Sequence, residues 1–309
     1  MNVLLWHVHG SWTTAFVQGG HRYFVPVDAE RGPFGRGRAR TWSWPDSVVE
    51  VGLAGARASD FDVVVLQRPE ELLLVEKLLG VRPGIEIPAL YLEHNAPQGA
   101  INDMRHPVRN RPELTLVHVT HFNRLYWDAG TTPARVIEHG IPDPGHRYRG
   151  GAARGAAVVN EAVRRARVTG TDLLARFARV APVDLFGIGA EELGGVDYPQ
   201  ATLHEVMADR RFYLHLCRWT SLGLSLIEAM QLGMPVVALA TTEVPKAVPP
   251  EAGFVSNCIE ELEEGVRCLL RDPPRARRMG EAAREAALAH YGLRRFLAEW
   301  DALLEEVAT

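Results

Sequence analysis

CRWTSLGLSLIEAMQLGMPVVALA, residues 217 to 240, reads as a polar loop, a helix whose only charge is Glu228, a stop at Gly233 and Pro235, and a buried strand. Ser221 is an expected N-cap, because a serine oxygen accepts an orphan N–H of the first helical turn. Gly223 lets the backbone approach a partner with no Cβ in the way. Free N–H groups and a partial positive charge at such a helix start suit a phosphate. Leu224 and Glu228 are four apart and share one helix edge, which puts Glu228 one turn beyond the loop. Two readings stand at this level. The stretch is a ligand site, or it is the ordinary loop–helix–strand unit of an α/β protein with a solvated glutamate.

Outward from this stretch, short apolar runs alternate with helical patterns, which predicts parallel sheets. Strands are expected at Val3–His9, Tyr23–Val27, Val48–Val51, Phe61–Leu66, Ala89–Leu92, Leu116–Val119 and Arg135–Glu138, with helices at Glu70–Leu79 and His121–Ala129. Residues 141 to 155, IPDPGHRYRGGAARG, have linker composition. A second series then begins. It has strands at Ala156–Asn160, Val183–Gly187, Phe212–Leu216, Pro235–Leu239 and Gly253–Val255, and helices at Thr171–Val180, Ile259–Leu270, Pro274–His290 and Leu293–Val307. Two successive doubly wound domains imply a cleft, and ligands of open α/β sheets sit at the carboxyl ends of strands.

The 309 residues suffice for about two domains. A net charge of −4 gives no global field for nucleic acid or an anionic membrane. Cys217, Cys258 and Cys268 show neither metal spacing nor a paired pattern, as in a reduced cytoplasmic protein. The start, MNVLLWHVHG, reads as a first strand rather than a signal peptide. No apolar run approaches the ~20 residues that span a bilayer.

Several strand ends carry polar groups. Gly10 and Ser11 follow the first strand, where their N–H groups can face the cleft. His7 and His9 lack the acidic or cysteine partners of a metal site and read as packing residues. His94, in LEHNAPQG, is the catalytic candidate, placed to bind a hydroxyl or share a proton, or else to cap its own loop. Arg164, Arg165 and Arg167 precede Thr169-Gly170-Thr171, which opens a helix with Asp172 in its first turn. They read as phosphate ligands or as a solvated face. Residues 31 to 40, RGPFGRGRAR, read as a mobile basic loop or as a contact for an acceptor or lipid. Asp60-Phe61-Asp62 matches an Asp-x-Asp metal motif, but at the wrong end of a strand.

The order of these motifs, from HG at the first strand end through EHN, VIEHGIPDPG and TGTDLL to SLGLSLIEAMQLGMPVVA, resembles the retaining nucleotide-sugar glycosyltransferases of family 4, the group 1 transferases. The likeness runs over most of the chain and is strongest from residue 211 to 256. It implies a GT-B fold of two Rossmann-like domains facing a cleft: residues 1–145 for the acceptor, 146–290 for the nucleotide sugar, and 291–309 as a helix crossing back onto the first domain. It further implies a retaining, metal-independent transfer from a UDP- or GDP-type donor to an acceptor, with no cofactor. By position, Glu228 would hold the ribose and the backbone of Leu222, Gly223 and Leu224 would cradle the diphosphate. Gly10 and Ser11 would close over the donor, and His94 would contact its sugar. The family's first motif glutamate falls at Thr220, and its phosphate-binding lysine at Thr169. Arg165 and Arg167 are the replacements chosen for that charge. These departures keep a rival open, a non-catalytic nucleotide-binding relative. A different GT-B enzyme and a ligand-free interaction protein are the remaining alternatives.

Overall fold

Val3 and Leu5 of the first strand point into one hydrophobic cluster and Leu4 into another. Val63 and Val65 alternate with Val64 and Leu66 in the same way. Strands buried on both faces read as continuous apolar runs, which is why they were visible in the sequence. The computed structural model describes residues 1–40 and 42–309. They form two units, Met1–Ile141 with Leu293–Thr309, and Pro142–Gly292.

The first unit carries a parallel sheet of β1 (Asn2–Leu5), β2 (Arg22–Pro26), β3 (Val48–Val51), β4 (Val63–Leu66), β5 (Ala89–Glu93), β6 (Thr115–His118) and β7 (Ala134–Val136). Their order is β3-β2-β1-β4-β5-β6-β7, so the winding reverses between β1 and β4. Its helices are α1 (Gly10–Phe16), α2 (Pro69–Leu79) and α3 (His121–Tyr126). The second unit carries β8 (Ala152–Val158), β9 (Val183–Phe186), β10 (Arg210–His215), β11 (Val236–Leu239) and β12 (Gly253–Ser256). All are parallel in the order β12-β11-β10-β8-β9, and the winding reverses between β8 and β10. Around them lie α4 (Ala166–Thr169), α5 (Leu174–Phe177), α6 (Gln200–Ala208), α7 (Leu224–Leu232), α8 (Val244–Ala247), α9 (Ile259–Arg271) and α10 (Pro273–Tyr291).

The last helix, α11 (Leu293–Ala308), belongs to the first unit. Phe296, Trp300, Leu303 and Leu304 recur at helical spacing and are all buried. Trp300 meets the rings of Trp12 and Phe16 edge-on, at centroid distances of 5.5 and 5.1 Å. Among the described residues no helix is long and apolar enough to cross a membrane.

Several expected boundaries move. The first strand stops at Leu5 rather than His9, because the chain turns into α1 at Gly10. The expected helix over Thr171–Val180 is a short 3-10 turn, Thr171–Leu173, followed by α5. The linker segment is shorter than its composition suggests, since β8 starts inside it at Ala152. Asp60 and Asp62 have local tasks. Asp60 accepts the Arg57 N–H at 2.8 Å and Asp62 accepts the Asn2 N–H at 2.7 Å.

Candidate functional site

The reversal of winding between β8 and β10 leaves a crevice at their carboxyl ends, the usual ligand position in such a sheet. Two loops meet there. Gly170, at φ 76°, lies so close to the end of β10 that a Cβ would overlap the Leu216 carbonyl. Arg218 then fastens the loops together. Its guanidinium donates to both oxygens of Asp172, at 2.6 and 3.0 Å, and to the Arg167 carbonyl at 2.9 Å. Arg218 was not singled out in the sequence. Its position at a strand end was the available signal, but its partner stands 46 residues away.

α7 starts at Leu224 with Gly223 as N-cap, and no side chain caps it. Ser221, expected in that role, is buried upstream of it. A Cβ on Gly223 would sit 2.8 Å from the His215 ring, so glycine is what lets the loop lie on the end of β10. Thr220 and Leu224 are half-buried, and Leu222 is buried beside them. One turn on, Glu228 is 7% exposed. Gln200 Nε2 of α6 donates to its Oε1 at 3.0 Å, and His204 Nε2 lies 3.4 Å from its Oε2. A carboxylate can accept about four hydrogen bonds, so capacity remains on both oxygens. Gln200 and His204 are further residues the sequence reading missed.

The arginines separate. Arg164 pairs with Glu161, its Nε 3.0 Å from Oε1. Arg167 is exposed and lies 3.2 Å from Asp172. Thr169 is buried and its hydroxyl donates to the Arg165 carbonyl at 3.2 Å. Arg165 is half-buried, with no ion pair among the described residues. Burial pushes the Cys217 thiol up to about 11, and the Arg165 charge acts against that rise. The Arg165 charge is thus felt at Cys217, where the loop that leads into α7 begins.

In the first unit, Gly10 and Ser11 open α1, again with no side-chain cap. Gln67, just past β4, joins the strand ends: its Nε2 donates to the Trp6 carbonyl at 2.7 Å. Its Oε1 therefore faces His94 Nε2 at 2.9 Å and makes that nitrogen the protonated one. The His94 ring lies between His9, at 4.1 Å, and the edge of Trp12, at 5.2 Å. Burial, then the charges of His9 and His139, holds its pKa well below the usual value. His94 is thus a neutral hydrogen-bonding group near pH 7.

Three other histidines are buried neutral. Burial holds His118 and His139 down to about 3 and His215 down to about 4. Both ring nitrogens of His118 are unpartnered, as are His139 Nδ1 and His215 Nε2. Their folded pKa lies below the unfolded value of about 6.5. Full stability is therefore present above pH 6.5 and falls as the unfolded chain takes up protons below it. Glu71, raised to about 7 by burial, acts in the opposite sense with one proton. The expected result is an unfolding free energy that falls from pH 6.5 to 4.5, by roughly 2 kcal/mol per buried histidine at pH 5, partly offset by Glu71. A flat profile over that range, followed by urea unfolding, contradicts neutral burial.

This architecture has known counterparts. The chain is similar to the sucrose-phosphate synthase of Thermosynechococcus elongatus at 15% identity, over 99% of this chain and 98% of that one, with a TM-score of 0.70. HepE of Anabaena, solved with UDP, aligns at 12% identity over 99% and 100% of the two chains, also with a TM-score of 0.70. TarM of S. aureus aligns at 16% identity with a TM-score of 0.62, over 78% of this chain and 54% of that one. The chain spans about half the length of TarM. No curated protein matches the sequence. The fold is the expected one: α/β, with two parallel-sheet domains of the GT-B glycosyltransferase type. Residues 193–286 match the family described as Glycosyl transferases group 1. That span holds α6, the loop before α7 and Glu228; Arg165 and the whole first unit lie outside it.

Proposed function

We propose that the protein is a retaining, metal-independent glycosyltransferase of the family 4 type. It would move a sugar from a nucleoside-diphosphate sugar, of UDP or GDP type, to an acceptor bound by the first unit. The observation that carries this reading is the buried Glu228 carboxylate, one turn past an uncapped helix start, with acceptor capacity left on both oxygens. In this reading Glu228 accepts from the ribose hydroxyls. The N–H groups of Leu222, Gly223 and Leu224 meet the diphosphate. Thr220 and Ser221 line the same loop.

Charge builds on the departing diphosphate as the glycosidic bond breaks, so preorganised donors there lower the barrier. Arg165 and the first turn of α7 are the groups we assign to that task, which is what supports metal independence. Arg167 and Thr169 hold neighbouring backbone in place, through Asp172 and the Arg165 carbonyl. His94, neutral and fixed by Gln67, is the hydrogen-bonding group that the first unit offers to a sugar hydroxyl. A cytoplasmic location belongs to the same proposal, supported by three cysteines that are all free.

Replacing Arg165 separates phosphate from nucleoside recognition. Arg165→Ala is expected to weaken UDP binding about tenfold and to leave uridine binding unchanged, by calorimetry. A parallel fall in both affinities removes Arg165 from the phosphate. One observation favours the second reading, a nucleotide-binding protein without transfer activity: Thr220 stands where the family's sugar-contacting glutamate is expected. UDP binding without transfer or hydrolysis of any UDP or GDP sugar is the result that reading requires.

A further inference from the structure

Residues 31 to 40 leave the carboxyl-end side of β2 and take no part in the proposed donor site. They form a loop tied down by backbone and side-chain hydrogen bonds. Val27 bridges Arg36 in antiparallel fashion, the Asp28 N–H donates to the Gly35 carbonyl at 3.1 Å, and the Gly37 N–H to the Pro26 carbonyl at 2.9 Å. Arg31 grips Glu50 of β3 with two bonds, at 2.8 and 3.1 Å. Arg38 donates to the carbonyls of Val48 and Trp44. From the next strand end, Arg68 donates to the Pro33 carbonyl at 2.9 Å and lies over the Phe34 ring at 4.1 Å.

Arg31 and Arg38 are thus occupied in holding the loop. Arg36 and Arg40 are exposed and make no ion pair among the described residues. With His7, Glu30, Arg31 and Arg38 they line an open cavity of about 530 Å³. Four arginines face one glutamate in that lining, and Glu50 is already engaged. The Arg36 charge adds to burial in holding the His7 pKa down, so its field reaches the end of β1. A guanidinium fork matches the oxygens of phosphate or carboxylate, and a loop fixed in advance has little ordering entropy left to lose.

We infer that this cavity binds the phosphate group of the acceptor substrate through Arg36 and Arg40. The assignment rests on the glycosyl-transfer reading, which is what gives the protein an acceptor. The anion can come from a soluble phosphorylated compound or from a lipid headgroup.

The test compares the full chain with the double variant R36A/R40A; both residues are exposed, so the melting midpoint is expected to stay unchanged. The probes are glycerol 3-phosphate, by calorimetry, and phosphatidylcholine vesicles with and without phosphatidylglycerol, by co-sedimentation. UDP is titrated in parallel. Wild type is expected to bind one of the anionic probes, about tenfold more tightly than the double variant and less tightly as salt rises. UDP affinity is expected to agree within about twofold. Loss confined to glycerol 3-phosphate identifies a soluble acceptor, and loss confined to anionic vesicles a lipid-borne one. The inference is overturned if wild type binds neither probe, or if the double variant binds both as wild type does. Arginine-dependent anion binding in a protein that binds no UDP or other nucleoside diphosphate overturns the acceptor assignment through the donor reading alone. That result keeps the two failures apart.

Discussion

Glu228→Ala is expected to weaken UDP binding ten- to a hundredfold. Hydrogen bonds to a charged group contribute about 1.5–3 kcal/mol each, and about 1.4 kcal/mol corresponds to tenfold in affinity. The ribose hydroxyls lose a buried acceptor. Gln200 and His204 lose the group that orients them, so some stability is expected to go as well. Affinity is therefore compared at a temperature where circular dichroism shows both proteins folded. Glu263, on α9, is a poor control because it pairs with Arg176 at 2.7 Å. Glu285 of α10 is exposed, and Glu285→Ala is expected to bind UDP as wild type does. Equal affinity in the two variants takes the ribose away from Glu228.

The second large effect is on the frame that holds the two loops together. Gly170→Ala combines a left-handed backbone, at φ 76°, with a methyl group forced onto the Leu216 carbonyl. Backbone cannot rotate aside as a long side chain can. The strain of the left-handed conformation and the overlap together are expected to cost about 3 kcal/mol. In a unit of this size that is roughly a 10 °C fall in melting midpoint. Gly194 has the same φ of 76° with open space around the missing Cβ. Gly194→Ala therefore isolates the backbone term, expected at about 1 kcal/mol. Similar midpoints for the two variants would mean that the approach of Gly170 to β10 carries no energetic weight. The Gly170 variant is also expected to lose UDP affinity, because it pushes Asp172 away from Arg218 across the crevice.

What could be read in advance follows the range of each interaction. β3 and β11 are short, valine-rich strands, and their limits lie within a residue of expectation. The amphipathic stripe of α11 was equally plain, because 3.6-residue periodicity is local. α1 was missed because GSWTTAF opens on glycine and serine and has weak helical propensity; tertiary burial of Trp12 and Phe16 overrides it. The helix expected over Thr171–Val180 is present in part: it opens as the 3-10 turn Thr171–Leu173 and runs on as α5 to Phe177. Glu228 and the loop before it were legible because serine, glycine and a lone acid fall within twelve residues. Gln200, His204 and Arg218 were not, since each reaches its partner only after the sheet has formed. The anchoring of the arginine loop was not legible for the same reason: Glu50 and Arg68 hold it from outside its own segment.

The most direct test of nucleoside-diphosphate binding by the second unit is a thermal-shift titration of the wild-type protein with UDP, GDP, ADP, TDP and CDP, with and without magnesium. A ligand that binds the native state raises the midpoint, by about 2.7 kcal/mol of stability at a hundredfold excess over its dissociation constant. The expected result is a clear rise with UDP or GDP, equal in the presence and absence of magnesium. No rise with any of the five would contradict a working donor site at Glu228.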